Sequence, residues 1–516
     1  MTGPLTPLDL LARSAFVYGD KLAVVDGDRA FSYGEFNRRV HRFASALRQV
    51  GIEPGDRVAV LAPNTITALE SHFAVPLAGA VLVMLNTRLQ ASELAWILNH
   101  CGAKALIADP QLLPILDPVR DSLTHLTFIT DDYEAFIEMG TPSWRATPPE
   151  EDQLICINYT SGTTGMPKGV MYTHRGACLN ALGEIIEHGL DSRSVYLWTL
   201  PMFHCNGWCF PWAVTGAGAQ HVCLRRADPE TIVELIGKEG VTHLCGAPVV
   251  VNTLSQYCAS NGIRFEQGLK IITAGAPPSP AVIRVAEEIG VNVSHVYGLT
   301  EVYGPHSLCV WRSEWDVLPI DERARLKARQ GVPYTICGTD MRVVDANMED
   351  VPADGVTMGE VVMRGNNVML GYYKNPEATE EAFRGGWFHS GDIAVMHPDG
   401  YIEMMDRRKD IVISGGENIS SVEVEKVLAD HPAVLEVAVI ASPDDKWGEV
   451  PKAHVLLKPG RDATAQELID FCRERLAHFK CPRLIEFGPV PKTATGKVRK
   501  NVLRDRAWAG REKRVN

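Results

Sequence analysis

From Phe31 onward the chain switches repeatedly between a helical and a strand period, and few architectures satisfy such an alternation. Ser32 and Glu35 stand at capping-box spacing, and Phe36, Val40, Phe43, Ala44 and Leu47 follow on one helical face. The apolar run Val58 to Ala62 reads as a buried strand, and two helix–strand pairs come next: Ile66 to Ala78 with Val81 to Leu85, then Ser92 to His100 with Ala105 to Ala108. Strand runs that are apolar throughout belong to sheets covered on both faces, so largely parallel sheets between helices are expected. A second stretch of the same kind spans 190–300, where Val195 to Leu200, His221 to Leu224, His243 to Ala247 and Lys270 to Ala274 read as strands.

Past residue 330 the pattern changes. Short strands such as Met341 to Val344 and Glu360 to Arg364, broken by Gly and Asp turns, predict a smaller β-rich, barrel-like subdomain. A separate compact α+β unit follows, with a helix capped by Ser420 and Glu423, strands at Val434 to Ile440 and Lys452 to Leu457, and a helix capped by Thr464 and Glu467. The charged segment Asp406 to Asp410 between these units has the character of a hinge. The expected fold is α/β: a large N-terminal domain, 1–405, of two α/β layered subdomains plus the β-rich one, a hinge at 406–410, and a small mobile α+β domain at 411–516.

Composition narrows the function. A chain of 516 residues exceeds one core at roughly 150 residues per domain, so several cores should meet at clefts. A net charge of −12 offers no dense basic surface to neutralise nucleic-acid phosphates. The basic run from Arg504 to Arg514 reads as a solvated helix end or tail. The twelve cysteines are scattered singly through apolar segments, which suits reduced thiols better than a disulfide framework. His204, Cys205 and Cys209 stand close together but lack further ligands at zinc spacing. No stretch of 18 uninterrupted apolar residues occurs and the N-terminal residues lack a targeting pattern, so a cytoplasmic protein without a transmembrane segment is expected.

The sharpest local signal is the run Tyr159-Thr160-Ser161-Gly162-Thr163-Thr164-Gly165-Met166-Pro167-Lys168-Gly169, directly after apolar Leu154 to Ile157. Glycines let backbone N–H groups approach an anion, hydroxyls add donors and a lysine supplies charge, so polyphosphate is the natural ligand. The pattern is not that of the nucleotide-hydrolase loop, because Pro167 precedes Lys168 and Gly169 follows it.

This loop closely resembles the signature of the adenylate-forming (AMP-binding) superfamily. Four further stretches fall in that family's order: Tyr297-Gly298-Leu299-Thr300-Glu301, Trp387 to Asp392, Asp406 to Asp410 with Ser414 to Asn418, and Pro491 to Lys497. The resemblance spans nearly the whole chain, and it implies a ligase that makes an acyl-adenylate from ATP and a carboxylic acid, then transfers the acyl group to CoA. Carboxylate attack on a phosphate brings two anions together, so cationic and metal stabilisation are required. By resemblance, Glu301 holds Mg²⁺ and Thr300 contacts phosphate. Tyr297 and Gly298 lie against adenine, with Gly275, Ala276 and Pro277 opposite and His295 near the exocyclic amine. Asp392 accepts from the ribose hydroxyls, Arg407 grips ribose or phosphate, and Lys497 bridges the carboxylate and the α-phosphate. The family rotates its C-terminal domain about the hinge position, here Lys409, after which Ser414, Gly415 and Gly416 line the thiol's path.

The run Leu200 to Phe210 resembles the segment bordering the family's acyl pocket. His204 and Trp208 are the pocket candidates, with Gly304 on the facing stretch, while Phe203 and Phe210 suit the core. The form His204-Cys205-Asn206-Gly207-Trp208 is similar to that of short- and medium-chain acyl-CoA ligases, including plant acyl-activating enzymes and methylmercaptopropionate–CoA ligases. The expected partners are therefore a small carboxylic acid, ATP and CoA, with Mg²⁺; a homodimer is left open. Loading of a carrier-protein thiol, or nucleotide binding without catalysis, are the alternatives.

Overall fold

A computed structural model describes residues 3–509 apart from 146, 148, 161–166, 276, 277, 279, 339, 416, 445 and 493–497. The capping box at Ser32 and Glu35 forms and starts the helix Tyr33–Gln49. Its face of Phe36, Val40, Phe43, Ala44 and Leu47 is fully buried, and burying each large side chain contributes about 2 kcal/mol. Phe36 meets Phe73 of the helix Ile66–Leu77 edge to face, with ring centroids 5.5 Å apart. Arg39 on the same helix pairs at 2.7 Å with the buried Glu70 of its neighbour.

These helices cover a seven-stranded sheet in the order Gly371–Tyr372, Lys168–Thr173, Leu154–Thr160, Val81–Met84, Arg57–Leu61, Ala103–Ala108, Phe128–Thr130. A nine-stranded sheet runs Val332–Pro333, Gly304–Leu308, Val291–Leu299, Leu269–Thr273, His243–Gly246, Val195–Leu197, Gln220–Cys223, Leu22–Asp26, Arg29–Ser32. The predicted parallel pairing holds through the middle of both sheets. Antiparallel strands close the edge of the first at Lys168–Thr173 and Gly371–Tyr372, and both edges of the second. The strand predicted to reach Leu200 ends at Leu197. There the Asn64 amide donates to the carbonyls of Trp198 and Leu200 and accepts from the Met202 N–H, which ties the chain off the sheet.

The β-rich subdomain is a four-stranded antiparallel sheet, Met341–Val344, Met358–Met363, Phe388–Met396 and Ile402–Arg407. The last sheet begins at Val412 and carries its helices Ser421–Ala429, capped by Ser420, and Ala465–Arg473, capped by Thr464 and Glu467. Arg506 of the basic run is exposed, as expected of a solvated helix end, and 510–514 lie outside the described residues; at Arg504 the structure differs. The helix Lys500–Ala507 folds back so that Arg504 donates to the Lys409 carbonyl at 3.0 Å and pairs with Asp410. An uncompensated Asp410, buried at the hinge, would be costly, which is why the helix holds its arginine there. All twelve cysteines are free and buried.

Candidate active site

Thr160 stands opposite Lys168 in an antiparallel register, so the hydroxyl- and glycine-rich run is the connection of a β-hairpin rather than a strand-to-helix turn. Ser161, Gly162, Thr163, Thr164 and Gly165 lie outside the described residues. Gly169 leaves no room for a side chain, since a Cβ would stand 2.9 Å from Ile157 Cγ2 and 3.1 Å from Tyr159 Cζ. The Lys168 ammonium sits 4.8 Å from the centroid of the Tyr372 ring. The Tyr372 hydroxyl in turn donates to Glu301 Oε1 at 2.9 Å. Desolvation raises the half-buried Glu301 carboxyl above its ordinary range, against the opposing Tyr372 hydrogen bond.

Thr300 and Glu301 occupy the tight turn between Val291–Leu299 and Gly304–Leu308. Two features hold that turn. A Cβ on Gly298 would fall 1.7 Å from the Gly304 carbonyl oxygen, so only glycine lets the strands cross there. Tyr303, at φ 65°, stacks on Tyr172 with centroids 3.7 Å apart, and the Tyr172 hydroxyl donates to the Thr300 carbonyl at 2.6 Å. The Thr300 hydroxyl lies 3.3 Å from Cys205 Sγ.

Tyr297, earlier on the same strand, donates its hydroxyl to Asp392 Oδ2 at 2.9 Å. Arg407 is the register partner of Asp392 and brings its Nε to 3.5 Å from Oδ1. Asp392 is held by its own strand, where the Ser390 hydroxyl accepts from its N–H and donates to the Val361 carbonyl. Glu360 anchors this segment by accepting from the Gly391 N–H at 3.1 Å and pairing with His389 at 3.0 Å. Tyr297, Thr300, Glu301, Lys168, Asp392 and Arg407 are thus linked through direct contacts and adjacent strand ends.

Other expected residues fall elsewhere. His295 is buried, with Nδ1 3.0 Å from the Ala328 carbonyl, and desolvation lowers its imidazole to about 4, so it is a neutral ring with a backbone partner. Gly275 is exposed at φ 90°, and Ala276 and Pro277 lie outside the described residues. On the acyl side, His204 is half-buried and Trp208 buried; Trp208 packs on Gly304, where a Cβ would stand 3.0 Å from its Cδ1. At the hinge, desolvation and the charges of Arg407 and Arg504 hold the Lys409 ammonium down at about 8. Ser414 is buried, and the space left by Gly415 is taken by the Trp447 indole, 2.7 Å from where a Cβ would lie. Gly416 and Lys497 lie outside the described residues. Sequence reading missed Tyr372, Tyr303, Glu360 and Trp447; all act through partners distant in sequence, and only the Gly371-Tyr372 pair after an apolar run hinted at an edge strand.

The AMP-binding enzyme profile matches residues 11–373, and that of the AMP-binding enzyme C-terminal domain matches 423–497. The chain belongs to the AMP-binding enzyme family. It is 49% identical over 98% of its length to 4-hydroxybutyrate–CoA ligase 2 of Metallosphaera sedula, covering 95% of that protein. It is 44% identical, again over 98% of its length, to a peroxisomal acetate/butyrate–CoA ligase of Arabidopsis thaliana, covering 94% of it. The fold superposes on an anthranilate CoA ligase in complex with anthranoyl-AMP with a TM-score of 0.87 at 27% identity, covering 98% of both chains. This AMP-binding enzyme is therefore of the acid–CoA ligase class, whose members take ATP and CoA as substrates. Among the described residues no helix is long and apolar enough to cross a membrane.

Proposed function

We propose that the protein activates a short aliphatic carboxylic acid as its acyl-adenylate and transfers the acyl group to CoA. One observation carries this reading: an aromatic hydroxyl, a buried carboxylate and a guanidinium, Tyr297, Asp392 and Arg407, join within 3.5 Å beside the turn bearing Thr300 and Glu301. Such a set suits a nucleoside, with a ring face for the base, a carboxylate for ribose hydroxyls and a cation toward phosphate.

In the first step a carboxylate oxygen attacks the α-phosphorus and the α–β anhydride bond breaks, releasing pyrophosphate. Lys168 and the hairpin from Thr160 receive the phosphates, and Lys497 brings a positive charge to the α-phosphate. Glu301 and Thr300 would hold Mg²⁺ through the hard oxygen donors that it prefers. When bound, the ion neutralises phosphate charge. In the second step the thiol sulfur attacks the acyl carbon, its proton is lost, and AMP leaves. The division into 1–405, a hinge at 406–410 and 411–516 lets one lid serve both steps. The small acid is supported by Trp208 packed on Gly304 and by relatives named for acids of two to four carbons. Twelve buried free thiols accord with a reducing compartment, and we place the protein in the cytoplasm.

The test is acid-dependent pyrophosphate release with ATP, Mg²⁺ and CoA, using acetate, butyrate and 4-hydroxybutyrate. Pyrophosphate together with acyl-CoA is expected. Pyrophosphate without a thioester would point to a carrier-protein acceptor, and none with any acid would overturn the reading.

A further inference from the structure

Between His204 and Phe210 the backbone does something costly. Cys205, Asn206, Gly207, Trp208 and Cys209 have φ of 46°, 43°, 54°, 54° and 64°, five consecutive residues in the left-handed region. Asn and Gly tolerate that region; Cys and Trp do so poorly. The turn is buried and pinned on either side. Cys205 Sγ lies 3.3 Å from the Thr300 hydroxyl, Trp208 packs on Gly304, and the Asn206 N–H donates to Asn158 Oδ1 at 3.2 Å. Asn158 belongs to the strand that ends at Thr160, and Gly304 begins the strand after Glu301. The turn therefore spans the gap between the two strand ends that carry the phosphate and metal residues.

At the centre of this turn stands an unexplained group. The Asn206 side chain is fully buried, and neither its Oδ1 nor its Nδ2 has a hydrogen-bond partner. Buried amides are paired in nearly all folded proteins, and an unpaired one is costly enough to call for a partner or a functional reason. A carboxamide offers one acceptor and two donors, so it complements an oxygen that accepts, or a hydroxyl that does both.

We infer that the Asn206 carboxamide hydrogen-bonds an oxygen of the bound acid, and that the strained turn exists to present it. The inference rests on the acid–CoA ligase reading above. Two oxygens share this chemistry: the carboxyl oxygen that every acid carries, and a hydroxyl further along the chain. The strain fits either case, because a preorganised amide loses no freedom when the acid binds. An acid that fails to pair it leaves a buried amide empty, which selects against that acid.

Butyrate and 4-hydroxybutyrate differ by one hydroxyl and separate the two sources. The enzyme, Asn206→Leu and Asn206→Gly would be compared with both acids, reading kcat and KM separately; the Gly variant keeps the left-handed turn should Leu prevent folding. Melting temperature, and its rise on adding AMP with each acid, would be recorded alongside. The expected result is a fall in kcat/KM of about tenfold or more, with the KM for ATP and the melting temperature of the unliganded protein unchanged. An equal fall with both acids assigns the contact to the carboxyl oxygen. A fall confined to 4-hydroxybutyrate assigns it to the chain hydroxyl. Variants that match the parent with both acids overturn the inference while leaving the ligase intact, as does a loss that tracks a lowered melting temperature. A parent protein that neither turns over nor is stabilised by either acid overturns the ligase reading and this inference with it.

Discussion

Gly298 is the residue with least freedom at the site, because its missing side chain is what lets the Gly304 carbonyl approach. Gly298→Ala should cost about 3 kcal/mol through overpacking and backbone displacement, seen as a lowered denaturation midpoint without any ligand. Asp392 tests binding rather than folding. Asp392→Asn removes the charge from a hydrogen bond worth about 1.5–3 kcal/mol, so kcat/KM for ATP should fall roughly tenfold to a hundredfold while the KM for the acid stays within about twofold. Equal losses for both substrates would show that Asp392 only props up its strand. Residues such as Asp392, Glu301 and Arg407 were legible because they stand in contiguous motifs. Tyr372 was not, for its partner Glu301 lies 71 positions away and only the antiparallel edge brings the two together.

At the level of elements, the sequence marked the capped helices and the apolar parallel strands well, since both periods are local. It did not mark Val291–Leu299 or its antiparallel partner Gly304–Leu308, where the polar residues Ser294, His295 and Ser307 interrupt the apolar run. At the hinge the elements meet through charge. Lys409 holds its proton to about 8 in the fold against an ordinary 10.5, so between those values the folded hinge binds fewer protons than the unfolded chain. Stability of this arrangement should therefore rise with pH across that window. Relative to Lys409→Met, the parent should gain melting temperature from pH 8 to 10; parallel curves would mean the hinge does not feel that charge. Arg504→Ala removes the clamp on the Lys409 carbonyl and Asp410. It should alter the rate of thioester formation more than that of pyrophosphate release, and single-turnover measurements of each step would separate the two.

For the molecule as a whole, five motifs spread over the chain indicated one site assembled from several sheets. The arrangement of the C-terminal unit was less legible, because it depends on contacts such as that of the terminal helix with the hinge, which no local pattern encodes. Placing Lys497 on a separate unit makes one division of labour testable. Lys497→Ala should abolish acid-dependent pyrophosphate release yet still convert a supplied acyl-adenylate and CoA to thioester; loss of both steps would deny the lid its specific role. A mixed anhydride of acid and phosphate acylates whatever nucleophile reaches it, and sulfur is the best nucleophile a protein owns. This chain keeps all twelve of its thiols buried, and burial raises those of Cys209, the last residue of the acyl turn, and of Cys156 far above neutrality. These two sulfurs are thus held protonated and are poor nucleophiles, so neither competes with the incoming pantetheine for the intermediate, and at both positions the enzyme is spared from becoming its own product.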